Sequence, residues 1–136
     1  MKLTPHFELW EFEVSQTAAR KGLNNSVPKE LIPNVTRLAE FLEHVRQLLK
    51  SPIIISSGYR SLKVNKAVGG SPRSQHLLGL AADFNVPGYT VKEVCEIISE
   101  SRLQYDQLIN EFGSWIHLSI PEINKQPRRQ YFSIGL

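Results

Sequence analysis

The sequence predicts one mixed helix-and-strand domain, and three stretches predict it. Asn34 to Leu49 carries apolar residues at helical spacing, Pro52 to Ser57 is a short β-branched run, and two strand-like segments meet at Gly113-Ser114. With 136 residues the chain can build a single core, burying roughly two thirds of the surface its unfolded form exposes. The expectation is therefore one domain over residues 1–136, with 1–33 as an N-terminal extension and 34–136 as the core.

Taken in order, Phe7 to Phe12 alternates aromatic or aliphatic residues with acidic ones, which fits a short half-buried strand or docked extended segment. Ser15 is placed to N-cap a short helix through Arg20, stopped at Gly22. Asn24 to Pro28 is a turn-rich link, and Pro28 and Pro33 belong near the start of a helical turn. Val35, Leu38, Phe41, Leu42, Val45, Leu48 and Leu49 then form the stripe of the principal amphipathic helix. His44 lies beside that stripe and His6 in a terminal segment, so neither is expected to bind a metal.

The β-branched run Pro52 to Ser57 suits a buried strand and ends in Gly58-Tyr59-Arg60-Ser61. An arginine just beyond a buried strand is held by rigid backbone and can present a fixed guanidinium to an anion. Leu62 to Val68 reads as a helical turn and Gly69 to Pro72 as a loop. From Leu80 the pattern alternates, with Leu80, Ala82, Phe84 and Val86 on one strand face and Ala81, Asp83 and Asn85 on the other. Thr90 and Glu93 form a capping box for a helix that buries Val94, Ile97 and Ile98 and ends near Ser101. Tyr105 to Phe112 and Trp115 to Ile120 form a hairpin, and Gln130 to Ile134 is a final strand.

Composition narrows the functional classes. The net charge of +3 comes from scattered Lys and Arg rather than a clustered stripe, so nucleic acid is not the expected partner. A mild basic excess is compatible with attraction to an anionic polymer such as a bacterial cell wall. A single cysteine, Cys95, excludes an internal disulfide and a cysteine-based structural zinc site, and sits on a helix face as a small hydrophobe. The N-terminus has no apolar core of a signal peptide and no segment suits membrane insertion, so synthesis in the cytoplasm is expected.

The chemistry concentrates in Ser74 to Asp83, where His76 and Asp83 stand seven residues apart around Gly79. A catalytic zinc takes three nitrogen, oxygen or sulfur ligands and keeps one open position. His117, the only later histidine, is the natural third ligand. Its orientation depends on the hairpin register. A two-residue loop would pair Phe112 with Trp115 and put Leu108 on the face of His117. A three-residue loop, Phe112-Gly113-Ser114, pairs Glu111 with Trp115 and sets Leu108 opposite Leu118. The second register keeps apolar with apolar and brings Glu111 and His117 to one face as diagonal neighbours. The expected site is then His76, Asp83 and His117 as zinc ligands, Glu111 as general base, and Arg60 as the fixed cation for developing negative charge or a substrate carboxylate.

Ser74-x-His76-x-x-Gly79-x-Ala81-x-Asp83, preceded by Ser57-Gly58-Tyr59-Arg60-Ser61 and followed by Trp115-x-His117, resembles the zinc D-alanyl-D-alanine carboxypeptidases and related phage endolysin peptidases. The hedgehog signalling domain and the LAS enzymes share that fold. The resemblance implies a small α+β domain whose antiparallel sheet carries one zinc ion, with helices packed on it. It implies hydrolysis of peptidoglycan stem peptides, as a D-Ala-D-Ala carboxypeptidase or an L-Ala-D-Glu-type endopeptidase. It assigns His76, Asp83 and His117 to the metal and Arg60 to substrate binding and charge stabilisation, with Ser74 and Gln75 lining the site. Trp115 stands where many relatives have a second histidine, and is expected to line the substrate cleft. Some relatives place the glutamate three residues before the last ligand, where this chain has Ser114; Glu111, six before, resembles the hedgehog-type arrangement. The implied partner is a peptidoglycan stem peptide, met by a monomer at the cell wall, and the N-terminus suits a phage lysis enzyme released through a membrane lesion, a virion-associated protein or a cytoplasmic recycling enzyme. The competing function is a non-catalytic, zinc-stabilised module that holds a wall peptide or a protein partner.

Overall fold

The computed structural model describes residues 1–135. It is the expected α+β arrangement. A five-stranded sheet runs in the order β3(Ile54–Ser57), β4(Ala81–Asn85), β6(Trp115–Ser119), β5(Gln107–Glu111), β7(Gln130–Ile134). The first four strands are mutually antiparallel. β7 adds a parallel edge beside β5, which the sequence pattern did not disclose.

A smaller hairpin, β1(Lys2–Thr4) and β2(Phe7–Glu8), precedes α1(Gln16–Lys21) and the long α2(Ile32–Leu49). α3(Leu62–Ala67) and α4(Val91–Glu100) complete the helices. One face of the sheet (Ala82, Phe84, Leu108, Ile116, Leu118) shares a core with Val35, Leu38, Leu42 and Val45 of α2 and Val94, Cys95 and Ile98 of α4. Phe7, Phe12 and Val27 enter the same core. Among the described residues no helix is long and apolar enough to cross a membrane.

Several local expectations hold for the reasons the sequence supplies. Ser15 Oγ accepts from the Ala18 amide and Gly22 ends α1 in the left-handed region, at φ 64°. Thr90 and Glu93 satisfy each other's backbone amides at the start of α4. α2 begins at Ile32, two residues before the predicted start at Asn34, with Pro33 in its first turn where no amide hydrogen is needed.

Two expectations need correction. Only Phe7 and Glu8 are extended, and Leu9–Phe12 is a turn of 3-10 helix. Glu11 reaches back to the Glu8 amide at 2.7 Å, and the turn brings Phe12 round to Phe7 with ring centroids 5.9 Å apart. A continuous strand would have put these two rings on opposite faces. The run Ile53–Ile55 is not buried on both faces either, since β3 is an edge strand and Ile54 is 57% exposed.

Candidate metal centre

The face of the sheet turned away from the helices carries Asp83, His117 and Glu111. Asp83 on β4 pairs directly with His117 on β6, and Glu111 on β5 pairs with Trp115. Leu108 lies opposite Leu118, so the three-residue loop is the observed register. The turn is closed by the Ser114 amide on Glu111 O at 2.9 Å and by the Gly113 amide on Asn110 Oδ1 at 2.9 Å. Phe112 takes the left-handed conformation, φ 59°. That conformation costs a non-glycine residue about 1–3 kcal/mol, offset here by the Phe112 amide bond to Ile134 O and by contact with Trp115.

His76 reaches this face from a separate element. Ser74 Oγ accepts from the His76 amide, opening a 3-10 turn over Gln75–Leu78 that Gly79 ends at φ 71°. A Cβ at Gly79 would press on Val35 of α2, so the same glycine also lets the turn lie against the principal helix.

The loop after β3 serves both His76 and Arg60. Gly58 lies so close to Phe12 that an added Cβ would stand 2.8 Å from the Phe12 backbone. Tyr59 N donates to Phe12 O at 2.8 Å, and the buried Asn25 holds the loop through Tyr59 O and the Ser61 amide. Gly58 O accepts from His76 Nδ1 at 2.6 Å, and the Arg60 amide donates to His76 O at 3.0 Å. The Arg60 guanidinium is fixed in turn by Ser57 Oγ at 3.2 Å, Asn65 Oδ1 at 3.4 Å and Asp83 Oδ2 at 3.2 Å.

The three expected ligands therefore converge. One ligand atom each of His76, Asp83 and His117 falls within 4.8 Å of the others. Asp83 Oδ1 lies 3.3 Å from His76 Nε2 and 3.0 Å from His117 Nδ1. A carbonyl can only accept, so the Gly58 bond puts the proton of neutral His76 on Nδ1 and leaves the Nε2 lone pair facing a carboxylate oxygen. Burial disfavours a second proton on His76 and holds its pKa below the ordinary value, although Asp83 pulls the other way. Burial pushes the Asp83 carboxyl up, but hydrogen bonds from His117 and His76 outweigh it and keep the group ionised far below the usual range. Two acceptors facing one another beside a third ligand atom call for a cation between them. The donor set of two imidazoles and one carboxylate suits zinc, so these residues fit the metal.

The triad opens into a cleft of about 650 Å³ lined by Arg60, Gln75, Glu111, Trp115 and Arg128, among others. Ser74 also borders it. Gln75 donates its amide inward, to Asp106 Oδ2 at 2.9 Å and Ile120 O at 3.2 Å. Burial raises the Glu111 carboxyl above its ordinary pKa, with His117 and Arg60 opposing and Asp83 reinforcing. His6 is bound to Glu43 at 2.8 Å on α2, and His44 is exposed on the same helix; neither joins the cluster. Sequence reasoning missed Asn65, which bonds Arg60, and Phe112, Arg73 and Arg128, which line the cleft. Asn65 lies on the short helix α3, and the other three in a loop, a turn and the C-terminal strap, whose positions no periodicity reports.

Two imidazoles and a carboxylate closing on one point, beside a carboxyl with a raised pKa, are the equipment of a metal-dependent hydrolase. The sequence places the chain more narrowly. A family model described as Peptidase M15 matches residues 5–119, and the chain belongs to that peptidase family. A comparison with curated proteins finds no match.

Proposed function

We propose that the chain is a zinc peptidase that hydrolyses peptide bonds in peptidoglycan stem peptides, as a D-Ala-D-Ala carboxypeptidase or L-Ala-D-Glu-type endopeptidase. One observation carries the reading: His76, Asp83 and His117 meet within 4.8 Å in the cleft of a Peptidase M15 chain. These three residues would hold the zinc. A zinc ion supplies Lewis-acid chemistry there, lowering the pKa of a water to about 7 and polarising a carbonyl.

The protein's own groups do the rest. Glu111, as the carboxylate, accepts the proton of the attacking water and passes it to the leaving amine. Its raised pKa makes it a stronger base than an exposed glutamate. Arg60 fixes positive charge beside the carbonyl oxygen, where negative charge develops as the carbon becomes tetrahedral. Its guanidinium is already oriented by Ser57, Asn65 and Asp83, so little reorganisation accompanies the reaction. Trp115 and Phe112, with ring centroids 5.5 Å apart, give one border of the cleft an apolar surface for the peptide. Action at a bacterial cell wall, in the manner of a phage endolysin, is part of this proposal.

The test is cleavage of defined stem peptides followed by mass analysis of the fragments, with zinc content measured in parallel. Wild-type protein releases a defined product and Glu111→Gln retains zinc while kcat falls by roughly 10²–10⁴-fold. Equal turnover by the two proteins rules out Glu111 as base. Binding without any product, whatever the metal, replaces the peptidase with a zinc-stabilised binding module.

A further inference from the structure

We propose that Arg128, together with Arg73, forms an anion subsite at one end of the cleft that takes a carboxylate of the peptide substrate. The inference rests on the peptidase reading, but on residues that reading does not use. Arg128 lies in the C-terminal strap, beyond residues 5–119 that the family model matches.

The strap is clamped rather than draped. Arg129 donates to Leu103 O at 3.0 Å and Ser101 O at 3.0 Å and stacks over Tyr105, 4.7 Å from its ring centre. Arg128 donates from Nε to both Asp106 oxygens at 3.1 Å and from Nη2 to Oδ2 at 2.7 Å, and its own amide reaches Oδ1 at 3.0 Å. Asp106 is buried, and its remaining partner is the amide of Gln75, the residue immediately before His76. The guanidinium is thus tied, through the Asp106 carboxylate and the Gln75 side chain, to the residue that precedes His76.

A guanidinium carries five N–H groups in a planar fork. Asp106 occupies Nε and one side of Nη2; Nη1 finds no acceptor among the described residues, and the side chain is 50% exposed. Arg128 therefore presents unused donors to the cleft it lines. The cleft also continues past it. Arg73, Gln75 and Arg128 line both the main cleft and an adjoining cavity of about 350 Å³ that includes Lys125. Asp106 balances one of these cations and Glu122 pairs with Lys125 at 3.7 Å, while the Arg73 guanidinium has no ion-pair partner among the described residues. The compartment retains an excess of positive charge.

A planar fork held by a buried acid is preorganised for a carboxylate, so little side-chain entropy is lost when the anion arrives. A peptide can bring that carboxylate from its C-terminus or from an acidic side chain, and both share the same chemistry.

The experiment uses four peptides: a cleavable stem peptide with a free or amidated C-terminus, each with Glu or Gln as its acidic position. Rates are measured for wild type, Arg128→Gln and Arg73→Gln, and affinities by calorimetry on the metal-free proteins. Wild type should prefer one charged peptide over its neutral counterpart by at least about tenfold in kcat/KM, and the pair that differs identifies the source. Arg128→Gln should cut that preference, read as the ratio of kcat/KM for the charged to the neutral peptide, to threefold or less. Arg73→Gln, free of the Asp106 clamp, should lower the preference with no change in Tm, and decides the matter if Arg128→Gln does not fold. Equal rates on charged and neutral peptides, or a preference unchanged in both variants, overturns the subsite. If nothing is cleaved but the charged peptide binds tenfold tighter in an Arg128-dependent way, the subsite stands and the peptidase reading falls.

Discussion

Gly58→Ala tests whether the loop after β3 is what aims His76. The added Cβ would sit 2.8 Å from Phe12 Cα and O. Non-bonded carbons settle near 3.5 Å or more, so the loop must move by about 0.7 Å. Phe12 is fully buried and its carbonyl holds Tyr59 at 2.8 Å, which leaves the Gly58 loop as the part that yields. The same displacement applied to the His76 Nδ1 bond, now 2.6 Å, lengthens it to about 3.3 Å, outside the usual hydrogen-bond range. Loss of such an orienting partner typically weakens a metal site about 10–100-fold, or roughly 1.4–2.7 kcal/mol. Overpacking adds about 1–3 kcal/mol of destabilisation in the metal-free protein. Zinc affinity is measured by competition with a chromophoric chelator, and stability by urea unfolding without metal. A variant within twofold of wild type in zinc affinity and within about 0.5 kcal/mol in stability would refute both the close approach and its link to His76.

Two further predictions concern the half-buried carboxyl of Glu111 and the buried one of Asp106. Burial raises the Glu111 carboxyl, with His117 and Arg60 opposing, so in the metal-free protein it should titrate above the ordinary glutamate range when followed by NMR; a midpoint at or below that range contradicts the burial of Glu111 in the cleft. Burial pushes the Asp106 carboxyl up, but hydrogen bonds from Arg128 and Gln75 bring it below its ordinary value. Its contribution is therefore present above the ordinary carboxylate range and lost as pH falls through the depressed pKa. Asp106→Asn should cost about 2 kcal/mol at pH 7 by urea unfolding, with a smaller deficit in strong acid where the wild-type group is protonated; an equal deficit at both pH values contradicts the ion pair.

The convergence of the three candidate ligands was more legible than their surroundings. His76, Asp83 and His117 could be named because ligand chemistry restricts the residue types and because strand alternation fixes which side chains share a face. The hairpin register followed from keeping Leu108 opposite Leu118, and that alone carried Glu111 to the face of His117. By contrast, the fold of Leu9–Phe12 was read wrongly, because six residues of alternation do not distinguish a strand from a capped turn. β7 was recognised as a strand but not placed, since its direction depends on how the strap from Pro121 returns.

The sequence by itself determined the α and β elements, the pairing of β5 with β6, and the types of residue available to hold a metal. These are set by local periodicity and by chemistry that only a few side chains possess. Tertiary structure alone decided that Gly58 O fixes the His76 tautomer, that Asn25 and Phe12 hold the loop carrying Arg60, and that Asp106 ties Arg128 to the cleft. Each of those contacts joins residues 18 to 47 positions apart through backbone carbonyls or buried carboxylates. No spacing rule reports such contacts, because they exist only once separate elements have packed against a common core.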